Sequence, residues 1–192
     1  VLQFADIMIG LEKIFAKEKP SLLVVVGDVN ATLAGTITAK KMGIHVAHIE
    51  AGMRSRNNKM PEEFNRILVD HVSDLLFVTT EEGRKNLANE GIRKNVFPVG
   101  NLMIDTLLHY APKIKKTDEQ FYFCTLHRGE NVDDKKIFDD ILAALEVIAK
   151  DRPIYLPLHP RTEKMAKKFG FLPRMKNIFT ILLPLSYKEA LF

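Results

Sequence analysis

The sequence alternates short apolar runs with longer segments of helical periodicity, and this alternation constrains the fold more than any other feature. The apolar runs are rich in β-branched residues, which indicates buried strands. They comprise residues 22–26, 44–49, 75–78, 96–99, 121–126, 154–158 and 178–183. The helical segments comprise residues 5–18, 31–42, 62–72, 81–90, 135–150 and 162–169. This strand–helix alternation predicts an α/β protein whose parallel sheets carry helices on both faces.

The alternation breaks at residues 111–118, where a proline and Lys113, Lys115 and Lys116 replace the apolar periodicity. A polar break that contains proline is typical of a domain boundary. We therefore predict two doubly wound domains, residues 1–112 and 113–192, both incomplete. The last segment, residues 185–192, has the pattern of a helix that is cut off after one turn.

Composition argues against several classes of partner and location. The net charge of +4 is mildly basic, but the basic residues are not interleaved with aromatic ones, so we expect no nucleic acid partner. The apolar runs are far shorter than the roughly 20 residues that cross a bilayer, and the first residues do not resemble a signal peptide. Cys124 is the single cysteine, which excludes a disulfide framework and favours the cytoplasm.

Charged side chains follow four of the apolar runs. Asp28 and Glu50 follow runs in the first half, whereas His127, Arg128 and His159 follow runs in the second half. Ligands of open parallel sheets bind just beyond the carboxyl ends of the strands. Acids from one domain and cations from the other would suit a ligand that has a reactive centre and a phosphate group.

Each of the acidic positions also has a purely structural interpretation. Asp28 could be a turn residue or a helix N-cap. Glu50 could pair with His48, which lies two residues earlier on the same face of the strand. Glu62 follows Pro61 at the start of a helix, where both residue types are favoured for structural reasons.

The histidines and arginines have other interpretations too. His127, Arg128 and His159 could be scattered surface cations. A zinc site built from His48, His127 and His159 is conceivable, but their spacing matches no common metal motif. The segment 27–32 lacks the lysine of a P-loop and the glycine spacing of a dinucleotide fingerprint.

Six motifs resemble those of the non-hydrolysing UDP-N-acetylglucosamine 2-epimerases. They are GDVNATLAGTITAKKMGI (27–44), HIEAGMRS (48–55), MPEEFNRILVDHVSDLLFVT (60–79), VGNLMIDTLL (99–108), LHRGENVDD (126–134) and LHPRT (158–162). The resemblance implies a GT-B-like fold of two Rossmann-type domains, the second of which binds UDP, with the active site in the cleft between them.

The resemblance also implies roles for individual residues. The catalytic acids of the family match Asp28, Glu50 and Glu62. The substrate- and UDP-binding residues match His127, Arg128 and His159. Arg54 and Arg66 are implied only as supporting residues. Residue 129 is a glycine where relatives usually carry Pro, Ala or Arg, so we expect a looser loop there.

Such an enzyme would epimerise C2 of UDP-N-acetylglucosamine by eliminating UDP and adding it back, without a metal or other cofactor. It would act as a cytoplasmic homodimer in the synthesis of polysaccharide precursors. The family has an opening strand with a basic loop and a closing Gly- and Ser-rich segment that have no match here, so we expect this chain alone to be inactive. A 2-epimerase of a UDP-diacetamido-uronate, a GT-B glycosyltransferase and a non-catalytic remnant remain open alternatives.

Overall fold

The computed structural model describes residues 1–111 and 118–191. These residues divide into two compact units, Val1–Thr106 and Leu107–Phe192. Residues 112–117, which make up most of the predicted boundary segment, lie outside the described residues. The domain bounds 1–112 and 113–192 therefore stay a prediction.

The first unit is a parallel sheet whose strands alternate with helices. Its elements are α1 (Leu2–Glu18), β1 (Leu22–Val26), α2 (Asn30–Lys41), β2 (His45–Ala51), α3 (Pro61–Val72), β3 (Leu75–Val78), α4 (Glu81–Asn89) and β4 (Val96–Pro98). A further helix, α5 (Leu102–Tyr110), continues into the second unit. The strands pair in the order β1-β2-β3-β4, and every pairing is parallel. The predicted parallel α/β arrangement is confirmed.

Strand β1 is less buried than its apolar sequence predicts. Leu22, Val24 and Val26 are 42%, 52% and 51% exposed, whereas Val25 belongs to the core. Because β1 is an edge strand and its side chains alternate between faces, only one of its faces packs against the helices. The prediction of a fully buried strand is wrong at this position.

The second unit is a smaller parallel sheet in the order β5-β6-β7. Its elements are β5 (Tyr122–Phe123), α6 (Gly129–Val132), α7 (Lys135–Ile148), β6 (Ile154–Pro157), α8 (Pro160–Phe169), α9 (Leu172–Ile178), β7 (Phe179–Leu182) and a 3₁₀ turn at Glu189–Leu191. Phe138, Leu142, Ile154, Leu156 and Met175 form the fully buried centre of its core. The predicted strand 121–126 shortens to two residues, and the helix predicted within 185–192 is a 3₁₀ turn.

Among residues 1–111 and 118–191, no helix combines the length and the apolar character that crossing a membrane requires.

Candidate active site

The end of β2 departs from regular strand geometry at Glu50. The pairing register with β3 shifts between Ile49 and Ala51, and Glu50 has a φ of 70°. Residues other than glycine rarely adopt this left-handed conformation, and residues held in it are found at active sites and ligand-binding turns as well as in ordinary turns. The irregularity turns the Glu50 side chain out of the alternation that the strand would otherwise impose.

Asp28, which follows β1, and Glu50, near the end of β2, lie in the same pocket. The pocket has a volume of about 120 Å³ and is lined by Gly27, Asp28, Glu50, Met53 and Arg66. The Gly27 N–H donates to the Ile49 carbonyl at 3.1 Å, which ties the two turns together. A Cβ built on Gly27 would lie 3.7 Å from Glu50 Oε2, so the carboxylate sits directly against this turn.

Arg66 on α3 supplies the positive charge of this pocket. Its Nη2 donates to Asp28 Oδ2, and its Nη1 donates to Glu63 Oε2 at 2.7 Å. Burial alone would lower the pKa of Arg66, but the hydrogen bonds to Asp28 and Glu63 outweigh burial and raise it. Arg66, which the sequence indicated only as a supporting residue, thus lines the pocket and pairs with one of its two acids.

Asp28 does not cap α2. The N-cap of that helix is Val29, and α2 begins at Asn30 without a side-chain cap. The Asp28 carbonyl instead accepts a hydrogen bond of 2.8 Å from Asn65 Nδ2, while its carboxylate pairs with Arg66. The N-cap interpretation of Asp28 is therefore wrong, because α3 rather than α2 supplies the partners of this residue.

Two adjacent glutamates on the first turn of α3 have different environments. Glu63 is 2% exposed and accepts hydrogen bonds from the Ser55 N–H at 2.8 Å, the Arg56 N–H at 2.8 Å and Arg66. Burial would raise the pKa of Glu63, but these donors outweigh it and lower the pKa to about 2. Glu62 is partly exposed and lies outside the residues that line the Asp28–Glu50 pocket. Its catalytic role stays a proposal.

His48 pairs with an acid that the sequence did not single out. Its Nδ1 lies 2.7 Å from Asp70 Oδ1, and its Nε2 lies 2.9 Å from the Gly27 carbonyl oxygen. The predicted His48–Glu50 pair is wrong, because the irregularity in β2 turns Glu50 away from His48. Both ring nitrogens already have protein partners, so His48 is not available as a zinc ligand.

One signal in the sequence could have identified these charged residues. Glu63, Arg66 and Asp70 are spaced by three and four residues, which places them on one stripe of α3. Glu63 and Asp70 are fully buried on that stripe, whereas Phe64 is 62% exposed. A charged stripe on a helix that otherwise looks apolar indicates a buried ion-pair network.

The second unit brings together two of the predicted UDP-binding residues. The rings of His127 and His159 lie with centroids 5.3 Å apart, and both line a pocket of about 210 Å³. His159 also caps α8, because its Nδ1 accepts from the Arg161 N–H at 3.1 Å and Pro160 takes the first helical position. The exposed faces of these rings remain open to a ligand.

The arginines near these histidines differ in how firmly they are held. Arg128 is exposed and lies 3.7 Å from Glu130, a distance typical of a weak surface pair. Arg161 makes a two-point contact with Asp133, with Nε 3.0 Å from Oδ1, and it lowers the pKa of that carboxyl. A Cβ on Gly129 would lie 2.7 Å from Arg161 Nη2, so the glycine leaves room for this pair over the start of α6.

Comparison with known proteins shows the family to which the chain belongs. The family model of UDP-N-acetylglucosamine 2-epimerase matches residues 2–192. The chain belongs to the UDP-N-acetylglucosamine 2-epimerase family. A UDP-N-acetylglucosamine 2-epimerase homolog of Methanococcus maripaludis is 38% identical over 203 residues, covering 99% of this chain and 56% of the relative. The chain thus spans about half the length of the curated relatives that it matches.

Two further members of the 2-epimerase group show the range of relatives. A UDP-2,3-diacetamido-2,3-dideoxy-D-glucuronate 2-epimerase of Pseudomonas aeruginosa is 39% identical over 194 residues, covering 96% of this chain and 54% of the relative. A crystal structure of Methanocaldococcus jannaschii UDP-GlcNAc 2-epimerase in complex with UDP-GlcNAc and UDP superposes with a TM-score of 0.88 at 39% identity, covering 97% of this chain and 56% of that one. The GT-B-like α/β fold class that the motifs implied is confirmed.

Proposed function

We propose that this chain provides the acid pocket and part of the UDP-binding surface of a 2-epimerase that interconverts UDP-N-acetylglucosamine and UDP-N-acetylmannosamine. The observation that carries the proposal is the placement of Asp28 and Glu50 in one pocket beside Arg66. Family membership and the relatives that act on UDP-N-acetylglucosamine support it.

The reaction requires the C2 proton to leave as the bond between C1 and UDP breaks. An unsaturated sugar forms, UDP adds back to C1, and C2 receives a proton on the opposite face. Positioned carboxylates can carry out such proton transfers, and negative charge near C1 stabilises the positive charge that develops there. We assign these tasks to Asp28, Glu50 and Glu62 together.

We assign different roles to Asp28 and Glu50 because their environments differ. Arg66 holds Asp28 in a partly buried ion pair, whereas no cation among the described residues pairs with Glu50. We propose that Glu50 exchanges the proton on one face of C2, that Glu62 exchanges it on the opposite face, and that the Asp28–Arg66 pair fixes the charge around them. Glu62 would complete the set from the first turn of α3.

The departing diphosphate needs hydrogen-bond donors and positive charge. We propose that His127, Arg128 and His159 bind its oxygens, because imidazole and guanidinium groups are suited to phosphate. No step of this scheme uses a metal or a nicotinamide. A cytoplasmic homodimer that serves polysaccharide precursor synthesis is the setting that the resemblance implies.

Product analysis on a protein of family length tests the proposal. Residues 2–192 would replace the matching segment of the Methanocaldococcus jannaschii relative, and the purified chimera would be incubated with UDP-N-acetylglucosamine. We expect UDP-N-acetylmannosamine to form, with one deuterium incorporated at C2 when the reaction runs in D₂O. A chimera that is folded but forms no epimer would refute the proposal.

The Pseudomonas aeruginosa relative supports a second substrate. A UDP-2,3-diacetamido-uronate would therefore be supplied to the same chimera at equal concentration. A ratio of kcat/KM that favours the uronate would assign the chain to that reaction instead, while leaving the chemistry at C2 unchanged.

A further inference from the structure

A buried carboxylate on α3 holds the turn that carries Glu50. Asp70 is 1% exposed, and its Oδ2 accepts from the Gly52 N–H at 3.0 Å and from Arg54 Nη1 at 2.7 Å. Arg54 is itself fixed from the other side, because Glu90 accepts from its Nε at 2.7 Å and from its Nη2 at 2.6 Å. The residues that follow Glu50 are therefore held by charged hydrogen bonds to α3 and to Glu90, the C-cap of α4.

The same carboxylate reaches the turn that carries Asp28. Asp70 Oδ1 lies 2.7 Å from His48 Nδ1, and His48 Nε2 lies 2.9 Å from the Gly27 carbonyl oxygen. A carbonyl oxygen can only accept, so Nε2 donates to it. The orientation of the His48 ring, which Asp70 sets, therefore fixes the carbonyl that directly precedes Asp28.

From these contacts we infer that Asp70 is a positioning residue that sets the geometry of the Asp28–Glu50 pair through His48 and the Gly52 amide. The inference rests on the proposed catalytic use of these two acids. Asp70 has no path to a substrate of its own, since it is fully buried. It acts by fixing both turns from one side chain.

A residue that only stabilises the fold could make the same contacts as Asp70. A second acid that contacts β2 is therefore needed as a control. Asp74 accepts from the Val46 N–H at 2.7 Å and from Lys40 Nζ at 2.8 Å, and so holds the opposite end of β2. Replacing Asp74 disturbs the same strand and helix connection without touching either acidic turn. Asp70→Leu and Asp74→Leu therefore remove the same chemical group from opposite ends of β2, Asp70 being buried and Asp74 partly exposed.

The conservative variant Asp70→Asn separates positioning from charge. An asparagine oxygen can accept from Gly52 and Arg54, and its NH₂ group can donate to His48 Nδ1 while Nε2 still donates to Gly27. Positioning therefore predicts that Asp70→Asn retains kcat within about fivefold, whereas Asp70→Leu loses it, because misplaced catalytic groups typically cost about 100-fold.

The test measures kcat and KM in the full-length chimera at a temperature at which every variant is folded by circular dichroism. We expect Asp70→Leu to lower kcat about 100-fold with KM within about threefold, and Asp74→Leu to leave kcat within about threefold. In a Glu50→Gln background, Asp70→Leu should change the residual rate less than about threefold, because residues that act through one another are not additive. Equal losses in the two leucine variants, or a full additional loss in the Glu50→Gln background, would overturn the inference.

Two further measurements cover the other outcomes. If Asp70→Leu does not fold, His48→Asn serves instead, because its carboxamide can still contact Asp70 but is too short to reach the Gly27 carbonyl. We expect at least a tenfold loss of kcat, and normal kcat would overturn the inference. If the wild-type chimera forms no epimer, the proposed function fails, and amide exchange in the 192-residue chain decides the positioning alone. Exchange of the Gly27 amide, which donates to the Ile49 carbonyl, at least tenfold faster in His48→Asn, with the Leu76 amide unchanged, supports it, and unchanged exchange at both refutes it.

Discussion

Replacing Glu63 by glutamine should remove a large, pH-dependent contribution to stability. The carboxylate is buried against the N–H groups of Ser55 and Arg56 and against Arg66, and its pKa is lowered from the ordinary 4.5 to about 2. At about 1.4 kcal/mol for each pH unit, this difference corresponds to a contribution of roughly 3 kcal/mol to the free energy of unfolding. A neutral glutamine of similar volume should lose most of it, because its NH₂ group would face at least one of these donors.

The sign of the pH dependence follows from the direction of the pKa. A carboxyl whose folded pKa lies below its unfolded pKa contributes its full stabilisation above pH 4.5 and loses it as the pH falls towards 2. The difference in unfolding free energy between the wild type and Glu63→Gln should therefore be about 2–3 kcal/mol at pH 7 and shrink as the pH falls from 4.5 to 3.

Urea denaturation of both chains at pH 7, 4.5 and 3 measures this difference. Glu62→Gln serves as the matched control, because the neighbouring side chain is partly exposed and should cost less than about 0.5 kcal/mol at every pH. A Glu63→Gln difference that stays constant between pH 7 and pH 3 would show that the hydrogen bonds to Ser55, Arg56 and Arg66 do not stabilise the ionised carboxylate.

Four further predictions concern catalysis, packing and assembly. Asp28→Asn, Glu50→Gln and Glu62→Gln in the full-length chimera should each lower kcat by about 10²–10⁴ with little change in KM, and a near-normal kcat removes that residue from the catalytic set. Gly52→Ala should lower the thermal midpoint much more than Gly43→Ala does. Both glycines have a positive φ, but only at position 52 would the new Cβ lie 2.3 Å from a backbone oxygen of α4. Equal losses in the two variants would contradict this. The 192-residue chain alone should show little or no epimerase activity, so turnover near that of the chimera would show the remaining segments to be dispensable. Light scattering of the chimera at micromolar concentration should give a dimer, and a monomer would count against the predicted assembly.

The sequence predicted the order and kind of the main elements but not their burial. Strands at 22–26 and 75–78 have the predicted bounds, because β-branched runs between turn residues leave few alternatives. Helix α5 was not predicted, and none of its residues is buried although it is strongly apolar. Periodicity reports which residues could form a buried face, whereas burial depends on what packs against that face.

The candidate site was likewise predicted only in part from the sequence. The positions of Asp28 and Glu50 just after neighbouring parallel strands were sufficient to predict that they lie together, because the carboxyl ends of parallel strands meet at one edge of the sheet. The family followed from the motifs alone and is confirmed. The catalytic roles of these acids stay a prediction.

The tertiary structure decided the partners of the charged residues. Sequence spacing placed His48 and Glu50 on one strand face, but a local shift of register turns Glu50 into the pocket and leaves His48 to Asp70. The sequence by itself therefore determined which chemical groups reach the edge of the sheet, since the residues that follow each strand and the alternation of side chains along it are local properties. Only the packing of α3 against β2 determined which carboxylate each cation meets, because an ion pair between distant segments depends on backbone turns that no periodic pattern encodes.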